Sequence, residues 1–138
     1  MVGGFVLDAS VTAAWCFADE ATPASEALRD SLTERQAIVP TLWPAESANL
    51  LLVAERRRRI TAERCAELLD LLDSLPIETA DETSRIRGPV LRLARAHRLT
   101  TYDAIYLDLA IDRELPLATR DGDLRRAAHA AGVALLDA

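Results

Sequence analysis

Short solid apolar runs alternate with helical stripes along this chain. Residues 4–8 are apolar up to a terminal Asp, as in a strand buried on both faces. An amphipathic stretch over 11–18 and a helix over 23–32 follow. Residues 37–39 predict a second strand, bounded by Pro40. Pro44 opens a helix running to about residue 58, a first-turn position that suits proline. Thr61 has the place of an N-cap for a helix to Leu75, and Pro76 stops it. Residues 77–79 predict a third strand. Residues 84–97 carry a helical pattern with a break or late start at Gly88-Pro89. Thr100 caps a strongly apolar helix over 102–113. A fourth strand at 116–119, a helix over 121–131 and a fifth strand at 133–135 complete the pattern. Strands alternating with helices predict an α/β fold with a parallel sheet covered on both faces. No repeat, linker or low-complexity stretch divides the chain, so residues 1–138 are expected to form one domain.

Composition narrows the class. Half of the residues are hydrophobic, which fits a globular core and not a disordered tail. No apolar run approaches the roughly 18 residues that span a bilayer. The start, Met1-Val2-Gly3-Gly4-Phe5, lacks the basic region of a signal peptide, so a cytoplasmic location is expected. Cys16 and Cys65 stand far apart in helical segments and read as small buried residues. The net charge of −6 excludes a DNA-coating protein but not a nuclease, whose catalytic carboxylates are part of that charge. All 16 basic residues are Arg, which excludes any mechanism that needs a lysine.

Four acids draw attention: Asp8, Glu46, Asp103 and Asp121, each at the start of a predicted helix. Ligands of open parallel sheets bind beyond the carboxyl ends of the strands. Asp8 ends the first strand, Glu46 lies in the first turn after the second, and Asp121 follows the fourth by two residues. These three share one sheet edge; Asp103 follows a helix, and topology alone does not place it. On its own helix, Asp103 points away from Asp108 and Asp112, whose shared face is expected to be solvated. Gathered carboxylates repel one another, and a hard divalent cation relieves that repulsion. Taken singly, each acid is better read as a helix cap or a favourable charge at a helix start. Their joint occurrence points to metal-assisted attack on a phosphodiester.

With its neighbours included, the chain resembles the PIN-domain ribonucleases, specifically the VapC-type toxins of toxin–antitoxin pairs. The matching segments are Val6-Leu7-Asp8-Ala9-Ser10, Pro44-Ala45-Glu46-Ser47-Ala48-Asn49, Leu99-Thr100-Thr101-Tyr102-Asp103-Ala104-Ile105-Tyr106-Leu107 and Leu117-Ala118-Thr119-Arg120-Asp121-Gly122-Asp123-Leu124. No segment is specific alone; four in family order, over nearly the whole chain, are. The resemblance implies a PIN-like fold with a central five-stranded parallel sheet flanked by helices on both faces. It implies an endoribonuclease dependent on Mg²⁺, or Mn²⁺, that leaves 5′-phosphate and 3′-hydroxyl ends. It also implies a homodimer and a cognate VapB-type antitoxin. Asp8, Glu46, Asp103 and Asp121 would form the acidic catalytic site, with Asp8, Asp103 and Asp121 on the metal. Ser10 and Thr119 would be polar helpers. Asn49, one turn after Glu46, could hydrogen-bond within the site. Asp123 could share the ligand role of Asp121 or simply sit in the helix's first turn.

Other features have more than one reading. Arg56-Arg57-Arg58-Arg59 could meet RNA phosphates, with Arg56 and Arg57 foremost, sit solvated at a helix C-terminus, or in part pair with acids of a partner chain. Arg120 could reach substrate or be a loop charge. His97 and His129 lack ligand spacing. Trp15, Trp43 and the Tyr102/Tyr106 pair read as core or dimer contacts. Receiver domains and haloacid-dehalogenase-type phosphatases need a lysine, and no Gly-rich phosphate loop is present. The remaining alternative is a non-catalytic PIN-like module that binds RNA or protein.

Overall fold

The computed structural model describes residues 3–138. Its elements run β1 (Phe5–Leu7), α1 (Ala9–Cys16), α2 (Pro23–Asp30), β2 (Ala37–Pro40), α3 (Trp43–Arg56), α4 (Ala62–Ser74), β3 (Ile77–Ala80), α5 (Leu91–His97), α6 (Thr101–Arg113), β4 (Leu117–Ala118) and α7 (Gly122–Ala130). The strands pair in parallel in the order β3-β2-β1-β4. Strand β1 is central, and Phe5, Val6 and Leu7 are all fully buried. Burying side chains of this size stabilises by roughly 1.5–3 kcal/mol each.

The two-residue period of the strands sorts the core into two layers. Phe5, Leu7, Ala37, Val39 and Ala118 pack against α1, α2, α3 and α4. Val6, Ile38, Ala80 and Leu117 pack against α6 and α7, and α5 is joined to α6 through Val90, Ala94, Ala104 and Ile105. Gly4 permits the close approach of β1 to β2: a Cβ there would meet the Gln36 carbonyl oxygen at 2.8 Å.

The helix caps follow the sequence. Thr22, Thr61 and Thr100 each accept a hydrogen bond from the backbone N–H three residues on. At Gly88-Pro89 the helical run widens into a π-turn over Ile86–Val90, and the α-helix starts late, at Leu91. A wider turn accommodates the proline, which lacks an N–H and crowds the carbonyl four residues back.

Three expectations need correction. The sheet has four strands among the described residues, not five. Leu135 makes only an isolated bridge to Leu117, with hydrogen bonds from Leu117 N to Ala134 O and from Leu136 N to Leu117 O. Strand β4 is two residues long, and the chain leaves α7 through Gly132 at a φ of 76°, so no longer ladder forms. Second, Asp108 is not solvated. It is 2% exposed and takes two hydrogen bonds from the Arg85 guanidinium, at 2.8 and 3.0 Å; Asp112 stays exposed at 3.5 Å from the same arginine. The helical turn before α5 supplies a cation that periodicity within α6 cannot reveal. Third, of the two free cysteines only Cys16 is fully buried, whereas Cys65 is partly exposed. Trp15, Trp43 and Tyr106 are core residues, and Tyr102 is 65% exposed.

Candidate active site

Asp8 closes β1 at the carboxyl edge of the central strand, and its side chain is held firmly. Ser10 Oγ and Thr119 Oγ1 both donate to Asp8 Oδ2, at 2.6 and 2.7 Å. Each hydroxyl also accepts a backbone N–H of the loop between β4 and α7. Arg120 N donates to Ser10 Oγ at 2.9 Å and Asp121 N to Thr119 Oγ1 at 3.1 Å. Two hydroxyls thus couple the end of β1 to the start of α7. Asp121 caps α7, its Oδ2 accepting from Leu124 N at 2.9 Å.

Glu46 lies half-buried in the first turn of α3. Tyr106 Oη donates to its Oε1 at 2.5 Å. Burial raises the Glu46 carboxyl above its usual range, the charges of Asp8 and Asp103 add to the rise, and the Tyr106 bond opposes it. Burial also raises Asp103, with further contributions from Asp121, Asp8 and Asp123, against the Thr100 bond. Tyr106 is itself driven far up by burial and by the adjacent Glu46. Asp8, Glu46, Asp103, Asp121 and Asp123 therefore share one electrostatic neighbourhood. Asp103 belongs there because α6 feeds β4 through a three-residue link. A helix that returns directly to a parallel strand begins at that strand's carboxyl edge.

The remaining sequence-predicted residues fall into two groups. Asp123 is exposed in the first turn of α7 and lies 3.8 Å from Arg126. Asn49 is exposed on α3. Arg120 is spoken for: its guanidinium donates to Glu20 O at 2.6 Å and to Thr22 Oγ1 at 3.2 Å, tying down the link between α1 and α2. Arg56 and Arg57 are exposed at the far end of α3, about 15 Å along the axis from Glu46. Arg59 of the same block pairs with Asp19 and Glu20 and covers the Phe17 ring.

Sequence reasoning missed two contributors. Tyr106 lies one turn after Asp103, a spacing that puts both on one face. Glu82 is 3% exposed and accepts from Thr41 N and from Thr41 Oγ1, the latter at 2.7 Å. It anchors the link that leads into α3. No sequence signal marks it.

The donor set is all oxygen and anionic, which suits a hard divalent cation. As placed, no three Asp, Glu, His or Cys side chains among the described residues are close enough to hold one together. Asp121 is engaged as a cap and Glu46 by Tyr106. In chemistry the donor set fits such an ion, which Asp8, Asp103 and Asp121 would hold.

A parallel sheet between two helical layers, with Asp8, Glu46, Asp103 and Asp121 at its carboxyl edge, defines an α/β domain with an acidic strand-end site. The chain belongs to the PIN domain family, whose model matches residues 5–130. Its fold is similar to that of PAE2754 from Pyrobaculum aerophilum, at 25% identity and a TM-score of 0.71, over 90% of this chain and 78% of that one. It is similar too to VapBC2 from Rickettsia felis bound to a DNA fragment from its promoter, at 13% identity and 0.71, over 96% of both chains. A toxin–antitoxin complex from Klebsiella pneumoniae matches at 15% identity and 0.54, over 85% of this chain and 86% of that one. No curated protein matches. No helix among the described residues is long and apolar enough to cross a membrane.

Proposed function

We propose that this protein is a VapC-type toxin, a metal-dependent endoribonuclease restrained by a cognate VapB-type antitoxin. The observation that carries the reading is Asp8. It is a 6% exposed carboxylate at the end of the central strand, gripped by two hydroxyls and sharing a field with Glu46 and Asp103. Membership of the PIN family and likeness to toxin–antitoxin structures support it.

Asp8, Asp103 and Asp121 would hold Mg²⁺ or Mn²⁺, which when bound supplies positive charge to the scissile phosphate and activates water. Glu46 serves as the general base. Its Oε1 is occupied by Tyr106, which leaves Oε2 to take the proton of the attacking water. Burial raises its proton affinity above that of an ordinary carboxylate, which favours taking up a proton. Ser10 and Thr119 fix the Asp8 carboxylate and the loop bearing Asp121. The exposed Leu52, Leu69 and Leu71 on α3 and α4 support protein partners on that layer, an antitoxin or a second copy of the chain.

The test is incubation of total RNA with the purified protein, with Mg²⁺, with Mn²⁺ and with EDTA. Discrete cleavage is expected with metal and not in EDTA, nor in Asp8→Asn or Asp103→Asn. Folded, antitoxin-free protein that cleaves nothing would turn the reading to a non-catalytic binding module.

A further inference from the structure

Charge is unevenly placed along this chain. Residues 83–102 hold five of the 16 arginines and none of the 22 acids. Arg85 is consumed by Asp108 and Asp112. Arg87, Arg92, Arg95 and Arg98 are exposed, and none makes an ion pair among the described residues. Arg92 and Arg95 stand one turn apart on the outer face of α5, whose inner face packs through Val90, Ala94 and Leu93. The helix dipole accounts for Arg95 and Arg98 at the C-terminal end. It does not account for Arg87 near the start of the helical run or Arg92 in its middle. Among the described residues no carboxylate lies within ion-pair distance of any of these four cations.

Their position gives them a use. The strip ends at Arg98, two residues before the cap of α6, whose first turn carries Asp103. Arg126 of α7 donates to His97 O at 3.1 Å, which joins the end of α5 to the helix that starts at Asp121. The strip therefore runs up to the acidic edge on the side of α6 and α7. A polyanion approaching that edge meets carboxylates on a chain of net charge −6. It needs a cationic approach, and bidentate guanidinium–phosphate pairing supplies one.

We infer that the exposed arginine strip along the helical run of residues 86–98, formed by Arg87, Arg92, Arg95 and Arg98, is the track for the phosphate backbone of single-stranded RNA entering the acidic site. The inference rests on the ribonuclease reading for the direction of the strand, but binding is measured apart from cleavage. The full chain is titrated against a fluorescein-labelled, mixed-sequence single-stranded RNA in EDTA over a range of salt. On a single strand, each lost phosphate contact lowers the slope of log K against log salt by about 0.7. The triple variant Arg87→Gln, Arg92→Gln, Arg95→Gln should lose about 2 in slope and bind roughly tenfold or more weakly at low salt. Arg56→Gln with Arg57→Gln should bind within about twofold of the unchanged protein, because those arginines lie on the other layer. Circular dichroism checks that both variants fold. A triple variant with unchanged slope, equal losses in both variants, or an unchanged protein that binds polyglutamate but no RNA would each overturn the track. A failed nuclease reading shows differently, as RNA binding through the strip with no cleavage when metal is restored.

Discussion

Thr119 shows how much one hydroxyl can organise. It is fully buried, donates to Asp8 and accepts from the Asp121 N–H. Thr119→Val keeps the shape and leaves both partners short of a bond. An unsatisfied buried polar group costs about 1–3 kcal/mol. Chemical denaturation should register a loss of that size for Thr119→Val and a small one for Thr119→Ser, which keeps the hydroxyl. Cleavage should fall in the same order; equal losses in both variants would mean that the methyl group, not the hydroxyl, matters. Asp103 gives a prediction with a definite pH sign. Its carboxyl is raised in the folded protein by burial and by neighbouring acids. The folded state thus binds its proton more readily than the unfolded chain, and its charge costs stability at neutral pH. Asp103→Asn should be more stable than the unchanged protein at pH 7, by under about 1 kcal/mol because water screens a partly exposed group. The advantage should shrink as pH falls through the raised folded value and vanish below the ordinary Asp range. An advantage that grew on acidification would reverse the assignment.

At the scale of elements, Asp121 joins two roles that one substitution can separate. Its side chain caps α7 and its charge belongs to the acidic edge. Asp121→Asn keeps a good cap, while Asp121→Ala removes it at about 1 kcal/mol. The thermal midpoint should hold in the first and drop in the second, with cleavage lost in both. Retained cleavage in Asp121→Asn would leave the residue a cap alone. Most of this level was legible in the sequence, because strands with solid apolar runs and helices opened by Thr, Asp or Pro state their ends locally. Asp8, Glu46 and Asp121 could be assigned to one edge from strand order alone. Asp103 could have been, since the three residues between α6 and β4 fix where α6 begins. The fifth strand could not: residues 133–135 are apolar enough, but a partner of two residues gives them nothing longer to pair with. Nor could the burial of Asp108, because Arg85 comes from a short 3-10 turn, Thr83–Arg85, 23 residues away, that no periodicity predicts.

At the scale of the whole molecule, the two layers divide the work. The layer of α1 to α4 carries Glu46 and the exposed leucines; the layer of α5 to α7 carries Asp103, Asp121 and the arginine strip. Asp8 stands between them on β1, so an ion held by Asp8, Asp103 and Asp121 would fasten the central strand to α6 and α7. It would also neutralise charges whose repulsion the folded chain now bears. Such an ion binds the folded state alone, since the unfolded chain scatters its ligands over more than 110 residues. At a hundred times its dissociation constant it should stabilise by about 2.7 kcal/mol, raising the thermal midpoint by roughly 10 °C for a domain of this size. Scanning calorimetry with Mn²⁺, with Mg²⁺ and with EDTA reads the shift directly. It should disappear in Asp8→Asn and in Asp103→Asn and persist in the arginine-strip triple variant, whose arginines lie outside the carboxylate set. If sodium chloride of equal ionic strength gave the same rise, simple screening of a crowded acidic edge would explain it, and the carboxylates would lose their claim to a specific ion.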